Sequence, residues 1–205
     1  MAPVVLAVLA LLLAWLVGIP LLTLLHELGH ALTALALSHQ PIHVFLGTTP
    51  RQIRQRGREE KPTFCLGKLA FSLSLAGLPF GVGWARWPAN LSWRRSVLTL
   101  LAGPVTTLLC LVVVSLTTLV LRPAAHPSAI QSGAYDFFLW LLLLAGLQFL
   151  ACALPVQYPA FWVGALAGVS SDGDKIRRLL KQRKQHEKKD VQDGNDSSSS
   201  PFASL

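Results

Sequence analysis

Residues 4–37 read VVLAVLALLLAWLVGIPLLTLLHELGHALTALAL, an apolar run interrupted by one His-Glu-Leu-Gly-His stretch. No charged side chain precedes Glu27. A helix needs about 20 apolar residues to cross the hydrocarbon core of a bilayer, so this run spans with residues to spare. Pro20 lies inside it and is expected to kink or split the helix, because proline lacks an N–H and its ring crowds the preceding turn. A cleaved signal peptide would carry a basic start and a shorter apolar core. The run has neither and is read as retained.

The rest of the chain fits the same class. Of its 205 residues 52% are hydrophobic and 14% charged, against about 25% charged in soluble domains. Mean hydropathy is +0.50. Lysine and arginine number 18, giving a net charge of +8. Nine lie between His39 and Arg95, eight follow Asp172, and Arg122 stands alone. Such blocks argue against a nucleic-acid-binding surface and for a membrane protein. Uncharged runs at 96–121 and 133–155 supply a second and a third span. The basic loop and the basic C-terminal segment then belong in the cytosol. Three spans are consistent with that count, with the N-terminus outside and the C-terminus cytosolic. Cys65, Cys110 and Cys152 form no CxxC pair, so they imply no disulfide framework.

Between the first two spans, the segment from His39 begins polar and then turns apolar. Thr63 to Trp87 alternates loosely and reads as strands or hairpins. Gly77-Leu78-Pro79-Phe80-Gly81-Val82-Gly83 is apolar but rich in breakers. Such backbone cannot face lipid unpaired and must pack on protein or line a cavity. Trp84, Trp87 and Trp93 read as an interfacial aromatic belt. After Pro155 and Pro159 comes a Ser-Asp-Gly turn, then a basic helix from Asp174 to about Lys189. Residues 191–205, with four consecutive serines, read as a disordered tail. The expected fold is a membrane all-α bundle of about three transmembrane helices, with a small membrane-associated β-hairpin or sheet between helices 1 and 2. Residues 1–190 form its single domain.

His26-Glu27-Leu28-Gly29-His30 carries the chemistry. Residues four apart share a helix face, so both imidazoles reach one zinc ion. Glu27 can then act as general base toward a water activated by the metal. Three ionisable residues inside an apolar span are costly and functional by default. A catalytic zinc takes three protein ligands and leaves one position open. Candidates for the third are His39, His43, Asp136, Asp172 and Asp174. Pro41 separates His39 from His43 and prevents a shared helix. Asp136 enters from the opposite membrane side. Asp172 is preferred, but its position suits an N-cap of the basic helix equally well.

Taken together, HELGH in the first span, Ala102-Gly103-Pro104 in the second and a Pro…Asp-Gly arrangement after the third resemble the site-2 protease family, peptidase family M50. The resemblance covers roughly residues 15 to 180. It implies that His26, His30 and Asp172 bind one zinc per chain and that Glu27 is the catalytic base. It also implies a substrate-binding role for the membrane-associated hairpin, here Gly77, Pro79 and Gly81. Cys152 stands where the family usually has asparagine, three residues before Pro155. Thiol is a poor donor, so the role of that asparagine in holding substrate is open at Cys152 or passes to Gln148.

The expected activity is hydrolysis of a transmembrane substrate near the cytosolic face, by an integral, multi-pass protein suited to a bacterial inner or plasma membrane. The expected partners are a transmembrane protein and the lipid bilayer, with no nucleic acid. A non-catalytic membrane adaptor that binds a partner's transmembrane helix is the alternative. Cys152 favours the adaptor and the intact Glu27 favours the enzyme. Substrate identity and oligomeric state have no signature in the sequence.

Overall fold

A computed structural model describes residues 2–49, 61–88, 90–123, 128–158 and 169–198. About 70% of the described residues are helical, and among them are three helices long and apolar enough to cross a membrane and one small four-stranded sheet. The first of the three is built from α1 (Ala2–Leu13), a π-helical stretch (Ala14–Gly18) and α2 (Ile19–Ser38). Pro20 does not split it. The π-helical stretch directly precedes the proline, and such bulges are a common way for a helix to absorb a disruption. α2 ends where His39 adopts a left-handed conformation, φ 57°, and donates its N–H to the Leu35 carbonyl at 2.8 Å.

β1 (Ile42–Leu46) follows at once. β2 (Phe64–Leu66) and β3 (Leu69–Leu73) form a hairpin closed by Gly67-Lys68, and β4 is Gly83–Arg86. The strand order is β2-β3-β1-β4. β1 runs parallel to β3 and antiparallel to β4, with Val44 opposite Phe71 and Ala85. Strands were therefore legible across Thr63–Trp87, but the central strand β1 lay in a segment read as loop. His43 sits in β1 and pairs its ring with the Ser72 hydroxyl at 2.8 Å. The hairpin expected around Gly77 is replaced by a 3-10 turn, Leu75–Phe80, with Pro79 inside it. A Cβ at Gly77 would overlap the backbone of Gly47. The two glycines let the loops after β1 and β3 touch.

One face of the sheet buries Ile42, Val44, Leu46, Leu69 and Phe71 against Ala31 and Ala34 of α2. The sheet is thus fixed to the C-terminal half of the helix that carries HELGH. α3 (Trp93–Val120) and α4 (Ala129–Ala153) are the other two long apolar helices. Both begin a few residues earlier than the uncharged runs suggested. For α4 the start is set by Ser128, whose hydroxyl accepts from the Gln131 N–H at 3.2 Å. α3 packs along α2 and contacts α4 and the last helix. Small residues make the closest approach: a Cβ at Gly29 would run into Thr106 and the Ala102 carbonyl. Without a hydrophobic force between helices in lipid, such close packing is what draws them together.

The last helix, α5, runs from Asp172 to Ser198, past the Lys189 end point expected from sequence. Its start is tied to the end of α4. Ser171 Oγ donates to the Leu154 carbonyl at 2.6 Å and accepts from the Val156 and Asp174 N–H groups. Gln157 and Ser170 form a bridge just before it. Pro159 lies outside the described residues.

Candidate metal centre

α2 sets His26 and His30 one turn apart on the face that meets α3. Their relative exposures are 3% and 3%, with Glu27 and Asp172 at 6% each. Four ionisable groups are therefore withdrawn from solvent together. Ionisable groups withdrawn from water in a membrane protein are costly, so they need partners.

The partners define the chemistry. His30 Nδ1 lies 2.7 Å from the Thr99 carbonyl oxygen. A carbonyl only accepts, so Nδ1 carries the proton. The Thr107 hydroxyl donates to the Gly103 carbonyl at 3.2 Å and so accepts from His26 Nδ1 at 2.8 Å. In the neutral rings a proton on Nδ1 leaves each Nε2 as a lone pair. The two Nε2 atoms lie 3.2 Å apart, and Asp172 Oδ2 lies 3.0 Å from one and 3.1 Å from the other. Three acceptors converging at this distance repel one another unless a cation lies among them. Donors at 2.0–2.1 Å from a tetrahedral zinc stand about 3.3 Å apart. The triangle of His26, His30 and Asp172 fits that ion.

α3 supplies these outer partners and the room. A Cβ at Gly103 would overlap His30 Nε2, so glycine is required for α3 to reach the ring nitrogens. Thr99, Gly103 and Thr107 lie four apart, one stripe of the helix. Partners of this kind orient metal ligands and are worth about 10–100-fold in affinity or activity. Thr107→Val is expected to weaken zinc binding by about that factor. Competition with a chelator of known affinity checks it.

Asp172, preferred by sequence, and Asp174, the candidate two residues on, are separated by their surroundings. Asp174 ion-pairs with Arg177 at 2.7 Å and Arg178 at 2.8 Å. Asp172 points Oδ2 at the histidines and Oδ1 at Lys175 Nζ, 2.9 Å away. Nor is Asp172 the cap of α5; Ser171 takes that part, its hydroxyl accepting from the Asp174 N–H. Burial opposes the charge on the Asp172 carboxyl, and the Lys175 ammonium beside it favours that charge. Burial likewise opposes the charge on Lys175, and the Asp172 carboxylate more than restores it.

Beside the triangle lies a mostly apolar cavity of about 650 Å³. Glu27, Gly81, Gln148, Cys152 and Lys175 line it together with the metal-site residues. So do Trp84 and Trp87, read from sequence as a lipid-facing belt. Trp84 stacks on Phe45 with ring centres 4.3 Å apart, and the Trp87 ring is 5.9 Å from that of His30. Gly77 and Pro79 do not line it. A Cβ at Gly83 would come within 2.9 Å of the Glu27 side chain, so β4 presses directly on the glutamate. Lys175, Thr107 and the Thr99 carbonyl were not singled out by sequence. Lys175 reads there as one more cation of a basic helix, and only its spacing of three from Asp172 hints at a pair. His39, His43 and Asp136 do not join the cavity.

No family model, curated protein or solved structure matches this chain.

Proposed function

We propose that the chain is an intramembrane zinc metalloendopeptidase of the site-2 protease type, cutting a transmembrane substrate near the cytosolic face. The observation that carries this function is the convergence of His26, His30 and Asp172 as three acceptors, with a second acid, Glu27, in the same cavity. A structural zinc site is closed by four ligands and needs no adjacent carboxylate. A zinc ion held by the triangle would act as a Lewis acid and bring a water to a pKa near 7.

The protein's own groups do the rest. The Glu27 carboxylate takes the proton of the attacking water and returns it to the leaving amine nitrogen. Gly83 fixes the Glu27 side chain from one side. Lys175 holds Asp172 Oδ1, leaving Oδ2 for the metal. Trp84, Trp87 and Leu144 line the cavity with apolar surface and exclude bulk water, which strengthens every charge interaction inside it. A helical substrate hides its peptide bonds in hydrogen bonds. The edge of β4 that faces away from β1 borders the cavity and offers backbone partners to an unwound segment. Gly81 and Gln148 would contact that segment.

The test is incubation of the detergent-purified chain with single-span test substrates and mass spectrometry of the products. Cleavage within the span, abolished by a zinc chelator and restored by added zinc, is expected. Cleavage insensitive to chelator contradicts the proposal. Orientation has its own test. Cys65 is exposed on β2, within the loop assigned to the cytosol by its basic residues. A membrane-impermeant maleimide is expected to label it in inside-out vesicles and not in right-side-out ones.

A further inference from the structure

Cys152 is the one cavity-lining titratable side chain, among the described residues, that the hydrolytic site leaves without a role. Lys175 is paired with Asp172, and the Tyr158 hydroxyl donates to the Ala151 carbonyl at 2.9 Å. Cys152 occupies the last turn of α4, half-buried, and opens into the cavity. Its Sγ, a ring nitrogen of His26 and a carboxylate oxygen of Asp172 all lie within 4.8 Å of one another. A tetrahedral zinc with sulfur at 2.3 Å and nitrogen or oxygen at 2.0–2.1 Å holds those atoms about 3.5 Å apart. Relative to His26 and Asp172 the sulfur therefore needs a movement on the order of one ångström to reach that spacing. Rotation about its single side-chain torsion supplies a movement of that size. Thiolate is also a soft ligand that zinc accepts readily.

We propose that Cys152 is the fourth ligand of the metal in the resting protein, so that the site is closed until the sulfur is displaced. The thiol releases its proton to solvent as it binds, and takes one up again when it leaves. The proposal rests on the metal site described above and adds its regulation: water and substrate gain access to the metal only by displacing Cys152. Neither Cys65, exposed on β2, nor Cys110, in the middle of α3, lines the cavity. A sulfur signal from the metal can then come only from Cys152.

The experiment loads the full chain, purified in detergent under reducing conditions and stripped of metal, with Co²⁺ as probe. Wild type is expected to show the visible bands of tetrahedral cobalt and a near-ultraviolet sulfur-to-cobalt charge-transfer band. Cys152→Ser and Cys152→Ala are expected to keep the visible bands, which shows that they fold, and to lose the charge-transfer band. Both should hold cobalt about tenfold or more weakly than wild type, no less than the loss of an outer partner costs. Cobalt bound by wild type without the charge-transfer band overturns the Cys152 ligand and leaves the three-residue site standing. A charge-transfer band that survives both substitutions also overturns it. Absence of any cobalt from wild type overturns the metal site itself, and the Cys152 proposal with it.

Discussion

Glu27→Gln is expected to bind zinc as wild type does and to cleave about 10²–10⁴-fold more slowly, the contribution typical of a positioned general base. Glutamine matches glutamate in size, so the contact with Gly83 survives. It cannot accept a proton from water. Metal binding is spared because Glu27 is not among the three acceptors that converge. Zinc per chain and the single-turnover rate on the same preparation check both halves. A variant that cuts at the wild-type rate would remove Glu27 from the reaction. A variant that loses zinc would make it a ligand instead.

The second large effect is expected at Asp172. Its replacement by alanine leaves two Nε2 lone pairs and removes the carboxylate from the triangle. Zinc affinity is expected to fall by more than about 100-fold, beyond what outer partners are worth. Cleavage should disappear with the metal. Asp174→Ala is the matched control, two residues away and equally buried. It breaks the ion pairs with Arg177 and Arg178 and is expected to leave zinc content unchanged. Zinc titration of the two variants under identical conditions separates them. Loss of metal from the Asp174 variant with retention in the Asp172 variant would reverse the assignment.

The sequence was most legible where a pattern is local. His26, Glu27 and His30 are read from one helical turn, and the three long apolar runs from their length alone. β1 was not legible: Ile42–Leu46 is five residues between a proline and a glycine, and its pairing comes from two strands beyond it in sequence. The tight Gly47–Gly77 contact likewise joins distant loops, so the breakers around Gly77 suggested a hairpin where a 3-10 turn forms. The outer partners of the histidines show the same limit. Thr107 is 81 residues from His26 and Thr99 is 69 from His30, and nothing in α3 by itself marks that stripe. Gly103 was noticed only within Ala102-Gly103-Pro104, and the object it contacts, a metal-site imidazole, is visible only once the helices are assembled. The choice between cap and ligand at Asp172 needed the hydroxyl of Ser171, which caps α5 and frees the aspartate beside it.

Zinc content of the wild-type chain tests the central claim most directly. The protein is purified in detergent under reducing conditions, equilibrated with excess zinc, desalted, and measured by elemental analysis. Circular dichroism on the same sample verifies its helical content. About one zinc per folded chain, lost when His26 or His30 is replaced by alanine, is the predicted result. A folded chain that holds no zinc, or one whose zinc is indifferent to both histidines, would contradict it.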